Sequence, residues 1–275
     1  MVSATLERAR SCLFLLTDYG TSDEFAGILK SVLARLAPDA PVVDLTHGIP
    51  RFDVRAGALC LVRCAGHLGP GVLMGVVDPG VGSARRAIAI EVRSDSGPRS
   101  LVGPDNGLLI WVAEALGGIE GAVELERRGS GTFDGRDLFA PVSAALWRGA
   151  RITDIGKSVD RDGLVRLPAP MLTVGRGVLE AEVLWVDTFG NAQLSAGPAD
   201  ADLADLGDPV SLEAGGERRT VRRARSFESV AAGEIGLIVD SNGHLALAGD
   251  RTSAALTLGL GEADPVTLRS IGESS

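Results

Sequence analysis

The sequence is poor in cysteine and in aromatic residues, which make up only 4% of the chain. Its three cysteines lie in apolar segments, at positions 12, 60 and 64. A small, odd number of thiols does not suit a disulfide framework, so we expect buried free thiols in a reducing cytoplasm. Cys60 and Cys64 have helical spacing, but the sequence has no second pair to complete a zinc site.

No apolar run is long enough for a transmembrane helix. Near the N-terminus, basic residues precede the apolar run of residues 12–16, which is too short for the core of a signal peptide and leads directly to Asp18. A trimmed targeting peptide is the alternative for this end of the chain. We therefore expect a cytoplasmic protein without a membrane partner.

The charge of the chain limits its partners. A net charge of −9 argues against nucleic acid as the main partner, but it is compatible with a cationic small molecule. The 45% of hydrophobic and 23% of charged residues are typical of a globular protein, and 275 residues are enough for two domains.

Several motifs of common enzyme classes are missing. The sequence has no Gly-x-Ser-x-Gly nucleophile elbow and no phosphate loop ending in Gly-Lys-Ser/Thr, and the glycines of residues 78–82 do not match the dinucleotide fingerprint. The apolar context of the cysteines gives little support to a nucleophilic thiol. His47 alone among the three histidines follows a predicted strand, so a metal site that combines His47 with Asp18, Asp78 or Asp134 stays open as an alternative.

What the sequence does contain is centred on residues 72–86, VLMGVVDPGVGSARR. The apolar half is typical of a strand buried on both faces, and Pro79 ends it directly after Asp78. In open α/β sheets, ligands bind at the carboxyl edge of the strands. Arg85 follows on the same glycine-rich loop and can pair with Asp78 in a bidentate manner. The stretch alone fits a structural turn as well as it fits a charged ligand site.

The first half of the chain repeats the order strand, polar loop, helix. We predict strands at residues 12–17, 41–45, 72–77, 87–92, 100–102 and 123–125, and helices at residues 24–36, 53–66, 108–116 and 138–148. This order indicates a mostly parallel, three-layer α/β domain. Four loops that carry aspartate are expected to gather at one sheet edge, at Asp18, Asp78, Asp105 and Asp134.

The second half reads differently. Residues 161–175 contain prolines and mixed charges and suit a linker between a domain of residues 1–160 and a second of residues 176–275. Beyond the linker, short strands dominate, at residues 178–186, 192–195, 209–213, 218–224, 235–239, 244–248 and 254–258. We therefore predict a smaller antiparallel β-barrel domain.

Six motifs in order resemble one known family. They are Leu-Thr-Asp-Tyr-Gly (16–20), Asp-Leu-Thr-His-Gly-Ile-Pro (44–50), Val-Asp-Pro-Gly-Val-Gly (77–82), Gly-Pro-Asp-Asn-Gly (103–107), Thr-Phe-Asp-Gly-Arg-Asp (132–137) and Asp-Thr-Phe-Gly-Asn (187–191). The pattern is similar to that of the S-adenosyl-L-methionine (SAM) hydroxide adenosyltransferases. These are the SAM hydrolases, which are relatives of the fluorinase and chlorinase.

The resemblance implies an α/β domain followed by a β-barrel, and a homotrimer that binds SAM between the first domain of one subunit and the second domain of the next. It implies attack of water or hydroxide on the ribose 5′ carbon, which gives adenosine and L-methionine. Because the sulfonium is already a good leaving group, no acid is needed, and we expect neither a cofactor nor a bound metal. The enzyme must align the water and stabilise a cationic substrate.

Roles for individual residues follow only from the resemblance. Asp78 and Arg85 match two members of the catalytic Asp–Arg–His group, and Asp134 stands where the family usually has the histidine. Substrate-binding positions are matched by Asp18 for the ribose hydroxyls, Phe52 for stacking on adenine, Phe227 for the adenine end, and Asp187, Phe189, Asn191 and Ser241 for the methionine part.

Asp134 is where the sequence departs from the family. A carboxylate can accept a proton from water and can bind Arg85, and two carboxylates around one water can couple, with the pKa of one raised. Halide chemistry is not expected, since the hydroxyl-bearing positions that hold fluoride in the fluorinase fall at Val81 and Gly135. A SAM- or adenosine-binding protein with little turnover and a metal-dependent hydrolase are the alternatives.

Overall fold

The computed structural model describes residues 11–126 and 131–271. The chain divides into two compact units between Leu167 and Pro168. This boundary lies inside the segment of residues 161–175 that was predicted as a linker. Leu164 is buried in the core of the N-terminal unit and Leu167 packs against that core, so the beginning of the segment belongs structurally to the first unit.

The N-terminal unit is built on a seven-stranded mixed sheet. Its strands are β1 (Cys12–Thr17), β2 (Val42–Thr46), β3 (Gly71–Val76), β4 (Ala87–Val92), β5 (Pro98–Pro104), β6 (Ile119–Leu125) and β7 (Gly156–Ser158). They lie in the order β2-β1-β3-β5-β4-β6-β7. Strands β2, β1, β3 and β5 are parallel neighbours, and β4 pairs antiparallel with both β5 and β6. The parallel part of the sheet, from β2 to β5, is therefore extended by strands β4, β6 and β7, which pair antiparallel.

Helices cover both faces of this sheet. They are α1 (Phe25–Leu36), α2 (Val54–Ala65), α3 (Ile110–Ala115) and α4 (Ala140–Trp147), and a π-helical turn, Gly135–Phe139, leads into α4. Apolar residues of α1 and α4 pack on one face of the sheet, while those of α2 and α3 pack on the other. The predicted three-layer α/β architecture is confirmed.

The register of the sheet brings two of the predicted loops together. Strands β1 and β3 are adjacent and parallel, and Thr17 at the end of β1 pairs with Val76 at the end of β3. The chain therefore leaves both strands at the same edge of the sheet. Asp18 and Asp78 follow these strand ends directly, which is the edge where open α/β sheets bind ligands.

The C-terminal unit is a closed seven-stranded barrel with an eighth strand at its side. Its strands are β8 (Leu172–Gly175), β9 (Val178–Val186), β10 (Ala192–Leu194), β11 (Val210–Ala214), β12 (Glu217–Arg223), β13 (Ile235–Val239), β14 (Leu245–Gly249) and β15 (Pro265–Ser270). The order is β10-β14-β13-β12-β11-β15-β9-β8, and the pairing of β10 with β9 closes the ring. Alternate residues of β9 point into the barrel, among them Leu179, Ala181 and Val183.

Two details of the barrel differ from prediction. Residues 254–258 form helix α6 (Ala254–Leu258) instead of a strand, because the Ser253 side chain accepts a hydrogen bond from the backbone of Leu256 and caps the helix. Strands β12 and β13 pair in parallel over a short stretch, so the barrel is not wholly antiparallel. A further short helix, α5 (Pro198–Leu203), connects β10 to β11.

The three cysteines carry free thiols, and each is half-buried instead of fully buried. Cys60 and Cys64 lie one turn apart on α2, at the margin of the core. Within the described ranges, none of the helices is long and apolar enough to cross a membrane.

Candidate active site

A cavity of about 370 Å³ opens at the carboxyl edge of β1 and β3 in the N-terminal unit. Its walls come from four segments that are separate in the sequence. The lining residues are Asp18, Tyr19, Asp23, Phe25, Arg51, Phe52, Val76, Asp78, Val81, Thr132, Phe133, Asp134 and Gly135. Three of the four aspartates expected at this edge therefore share one cavity.

The loop after β3 folds back so that Arg85 meets Asp78. The Gly80 backbone N–H donates to Asp78 Oδ1 at 3.2 Å, and Gly82 adopts a φ of 79°, a conformation that favours glycine. Ser83 Oγ donates to the Gly80 carbonyl and accepts from the Arg85 N–H, which closes the turn. Arg85 then pairs with Asp78 through Nε, 3.1 Å from Oδ1, and through Nη2 to Oδ2.

Asp134 completes a cluster of three charged groups. It lies directly before the π-helical turn, and its Oδ2 accepts a hydrogen bond from Arg85 Nη2 at 2.9 Å. The side chains of Arg85, Asp78 and Asp134 are only 8%, 5% and 5% exposed. Two buried carboxylates thus share one guanidinium, and the cluster carries net negative charge when both are ionised.

The environment of Asp78 disfavours its ionised form. Burial raises the pKa of Asp78 above its usual range, the hydrogen-bonded Arg85 opposes this, and the negative charge of Asp134 adds to the increase. A carboxylate with a raised pKa is a better proton acceptor at neutral pH than an ordinary aspartate. Asp78 therefore has the properties of a base at the wall of the cavity.

Asp18 and Phe52 meet at another wall of the cavity. Asp18 Oδ2 accepts a hydrogen bond of 2.9 Å from the backbone N–H of Phe52. The Phe52 ring is 67% exposed, so it is available to stack on a flat ligand. These are the two residues that the resemblance assigned to the ribose and the adenine.

Three aromatic side chains that sequence reasoning did not single out form the remaining apolar wall. The rings of Tyr19, Phe25 and Phe133 pack in a mutual cluster with centroid distances of 5.3 to 5.8 Å. Tyr19 and Phe133 belong to the quoted motifs, directly beside Asp18 and Asp134. Their position in those motifs is the sequence signal that could have identified them as site residues.

Two other predicted site residues lie elsewhere. His47 Nδ1 is 2.8 Å from Thr17 Oγ1, and the His47 carbonyl accepts a hydrogen bond from the Gly20 N–H. His47 therefore stabilises the loop that carries Asp18, and it does not line the cavity. Asp105 binds Arg86 and the Val165 N–H instead of joining the other aspartates. In the described ranges no group of three His, Cys, Asp or Glu side chains is arranged to hold a metal ion.

The C-terminal unit contains a cavity of its own, of about 410 Å³. Four of the predicted substrate-binding residues line it, namely Asp187, Asn191, Phe227 and Ser241. The Asp187 carboxylate accepts hydrogen bonds from the N–H groups of Phe189 and Asn191 and from Asn191 Nδ2 at 2.7 to 2.9 Å, and thereby fixes the turn. Phe189 is 80% exposed at the tip of this turn and does not line the cavity.

Comparisons with known proteins match both units of the chain to one family. The SAM hydroxide adenosyltransferase N-terminal domain matches residues 13–156, and the corresponding C-terminal domain matches residues 181–267. A protein of Salinispora tropica named (R)-S-adenosyl-L-methionine hydrolase is 45% identical over 254 residues, which cover 90% of this chain and 94% of the relative. A more distant relative, a fluorinase of an Actinoplanes species, is 27% identical over 270 residues, or 85% of this chain and 89% of the relative.

The fold also has a solved counterpart. The crystal structure of an uncharacterized conserved protein from Thermotoga maritima matches 94% of this chain and 99% of its own length, with a TM-score of 0.86 and 31% sequence identity. Together, the two domain matches cover most of the chain, and they follow the same order as the two structural units. The chain belongs to the SAM hydroxide adenosyltransferase family.

Proposed function

We propose that this protein hydrolyses SAM at the ribose 5′ carbon and releases adenosine and L-methionine. The observation that carries the proposal is the buried Asp78–Arg85–Asp134 cluster on the wall of a cavity that also contains Asp18 and Phe52. The name of the Salinispora relative supports the same reaction.

The chemistry requires little beyond positioning and a proton acceptor. Water oxygen forms a bond to the 5′ carbon while the bond from that carbon to sulfur breaks, and its electron pair leaves with sulfur as the neutral thioether of methionine. One proton of the water passes to a carboxylate, for which Asp78 is our candidate because burial raises its pKa. No proton has to reach the leaving group.

The charge of the cluster suits a cationic substrate. Arg85 holds both carboxylates at fixed positions, and the formal charges of the three groups sum to −1 when both carboxylates are ionised. Fixed negative charge beside the substrate stabilises a sulfonium and the positive charge that spreads to the 5′ carbon in the transition state. Asp134 can therefore replace a neutral histidine without loss of complementarity to SAM.

The remaining assignments concern binding. We propose that Asp18 accepts hydrogen bonds from the ribose hydroxyls and that Phe52 stacks on adenine. In the C-terminal unit, we assign the methionine part to Asp187, Phe189, Asn191 and Ser241, and the adenine end to Phe227. Since Asp187 already accepts three hydrogen bonds, its main contribution is to hold Asn191 in place.

We further propose a homotrimer in which the N-terminal unit of one subunit and the C-terminal unit of the next share one substrate. Two inactive variants test this arrangement by complementation. Asp78→Ala damages only the first half-site, and Asn191→Ala damages only the second. When the two variants are coexpressed, shared sites regain activity because some contain two intact halves. Sites confined to single subunits would stay inactive.

Incubation of the purified protein with SAM, followed by chromatography for adenosine, tests the reaction. Both sulfonium epimers should be supplied, since the name of the relative specifies the (R) form. A chelator arm separates metal-dependent hydrolysis, which would lose activity, from the proposed mechanism, which would keep it. Binding of SAM without adenosine formation would support a binding protein and contradict the proposal.

The proposed setting is the cytoplasm, where SAM is made and consumed. Free thiols at all three cysteines suit such a reducing compartment.

A further inference from the structure

Tyr19, the only tyrosine of the chain, carries a hydroxyl that interacts electrostatically with Asp78, Asp134 and Arg85. The residue lines the same cavity as Asp78 and Asp134. Its ring is fixed by edge-to-face or tilted packing against Phe25 and Phe133, with centroid distances of 5.8 Å to each. The hydroxyl is thus held in one place by apolar contacts on the ring.

The position of the hydroxyl is defined by Gly135. A Cβ atom built on Gly135 would lie 2.5 Å from the Tyr19 oxygen, so the hydroxyl occupies the space where a side chain of residue 135 would begin. Gly135 directly follows Asp134, and the Asp134 carboxylate interacts electrostatically with the phenol, so the hydroxyl lies near the second carboxylate of the cluster. Among the residues that the structure describes, none hydrogen-bonds to this hydroxyl.

The surroundings keep the phenol protonated. Burial raises the pKa of Tyr19 well above its ordinary value, the charges of Asp18, Asp78 and Asp134 raise it further, and Arg85 opposes them. Tyr19 is therefore a neutral hydrogen-bond donor at neutral pH. The cluster beside it offers carboxylate oxygens as acceptors. The N–H groups of Arg85 already donate to Asp78, Asp134 and the carbonyl of Arg86.

An attacking water needs both kinds of partner. If its two hydrogens point to Asp78 and Asp134, its two lone pairs remain unoriented, and the water can rotate about the axis that the carboxylates define. A donor that engages one lone pair fixes the other in the remaining tetrahedral direction. On the basis of the proposed hydrolysis, we propose that the Tyr19 hydroxyl donates a hydrogen bond to the attacking water and aims its second lone pair at the 5′ carbon.

This role involves no net transfer of the phenolic proton. The water loses one proton to a carboxylate as the carbon–oxygen bond forms, and Tyr19 keeps its own. Tyr19 stabilises the oriented nucleophile rather than the bound substrate, so its loss should reduce kcat and leave the KM for SAM unchanged.

Tyr19→Phe is the direct test because it removes one oxygen and preserves the ring packing. We expect kcat to fall about 10- to 100-fold, the range for loss of one well-placed hydrogen-bonding group in a buried site. KM for SAM and the Kd for adenosine should stay within about twofold of the wild type. An unchanged kcat, or a raised KM with normal kcat, would overturn the proposal.

Gly135→Ala supplies a second variant that does not depend on the folding of the first. The added methyl displaces the Tyr19 hydroxyl, so kcat should fall in the wild-type background. In the Tyr19→Phe background the same substitution should cause little additional loss, since the displaced group is already missing. Equal and multiplicative losses in the two backgrounds would contradict the role of the hydroxyl.

A spectroscopic readout separates orientation from a structural effect. Because the chain has a single tyrosine, the near-ultraviolet absorbance of phenolate reports on Tyr19 alone. The wild-type protein should titrate well above a free tyrosine, and Gly135→Ala should lower that pKa by moving the phenol away from the carboxylates. A wild-type protein with no turnover would overturn the proposed function and this role together. Normal turnover in Tyr19→Phe would overturn this role only.

Discussion

The carboxylate of Asp18 binds the backbone of Phe52, and Phe52 adopts a left-handed conformation with a φ of 68°. Such a conformation costs a residue other than glycine about 1–2 kcal/mol. The hydrogen bond from the Phe52 N–H to Asp18 Oδ2 helps to offset this cost. The residue proposed for the ribose therefore also holds the residue proposed for the adenine, and the two recognition elements are coupled.

Replacement of Phe52 should separate binding from stability. Phe52→Gly and Phe52→Ala both remove the exposed ring, so each should raise KM for SAM by about tenfold through lost stacking. Glycine also relieves the left-handed strain, which outweighs its greater freedom in the unfolded chain. We expect Phe52→Gly to be more stable than Phe52→Ala by about 0.5–1 kcal/mol in urea unfolding. Equal stabilities would show that position 52 is not strained.

Removal of either member of the central ion pair should abolish turnover. We expect Asp78→Ala and Arg85→Ala to lose at least about 100-fold in kcat, measured as adenosine formation, while light scattering still reports the wild-type assembly. Arg85→Ala should be the less stable of the two, because it removes the guanidinium that binds both buried carboxylates, whereas Asp78→Ala leaves Arg85 paired with Asp134.

A control for the ion-pair variants is Arg93→Ala. Arg93 forms an exposed pair with Glu120, and its loss should alter neither rate nor stability appreciably. Near-normal turnover in Asp78→Ala or Arg85→Ala would remove that residue from the mechanism.

Asp134 should control the pH dependence of the reaction. Because Asp78 must be ionised to accept a proton, activity should be lost as the pH falls through its raised pKa, so the acidic limb of kcat/KM should lie above the usual range of an aspartate. Asp134→Asn removes a negative neighbour, lowers the pKa of Asp78 and should move this limb to lower pH. An unmoved limb in the asparagine variant would exclude coupling of the two carboxylates.

Restoration of the family residue gives a complementary result. We expect Asp134→His to retain or raise kcat, because an imidazole can also bind Arg85 and accept a proton. The assay is adenosine formation at neutral pH. A folded but inactive histidine variant would show that Asp134 has a role of its own.

Cys60 should be the most reactive thiol of the chain. The pKa of Cys60 is lowered to about 7, chiefly by a hydrogen bond from Cys64 and also by Arg63, while burial acts in the opposite direction. Alkylation of Cys60 should therefore become faster as the pH rises through about 7. Peptide mapping after brief iodoacetamide treatment measures the order of modification. Cys64→Ala should slow the reaction at neutral pH, and earlier modification of Cys12 would contradict this prediction.

The parts of the fold that could be predicted are those with a strong local signal. Strands β1 and β3 are apolar runs that are followed by polar residues or proline, and such runs fit buried strands of a parallel sheet. The strand predicted at residues 254–258 was wrong, because a five-residue apolar run has no clear period. The chain forms a helix there, which the side chain of Ser253 caps. The parallel pairing of β12 with β13 depends on contacts distant in sequence.

The candidate site shows the same limit. Asp18, Asp78 and Asp134 were expected at one edge because each follows a strand or opens a helix, and they do share one cavity. Asp105 meets the same criterion but pairs with Arg86, a cation directly before the neighbouring strand β4. The direction of a loop side chain is set by such partners. The hydroxyl of Tyr19 could not be anticipated either, since its place depends on the packing of Phe25 and Phe133.

The close approach of Tyr19 to Gly135 also limits how this protein can evolve. Position 135 is one of the two places where the resemblance puts a hydroxyl that holds fluoride in the fluorinase. A serine introduced there would begin with a Cβ atom 2.5 Å from the Tyr19 oxygen, which is too close for both side chains to remain in place. Such a serine would displace the Tyr19 hydroxyl, or a substitution at position 19 would precede it, and on the proposed role of Tyr19 both routes slow hydrolysis. A path from water to halide as nucleophile would therefore pass through a less active intermediate.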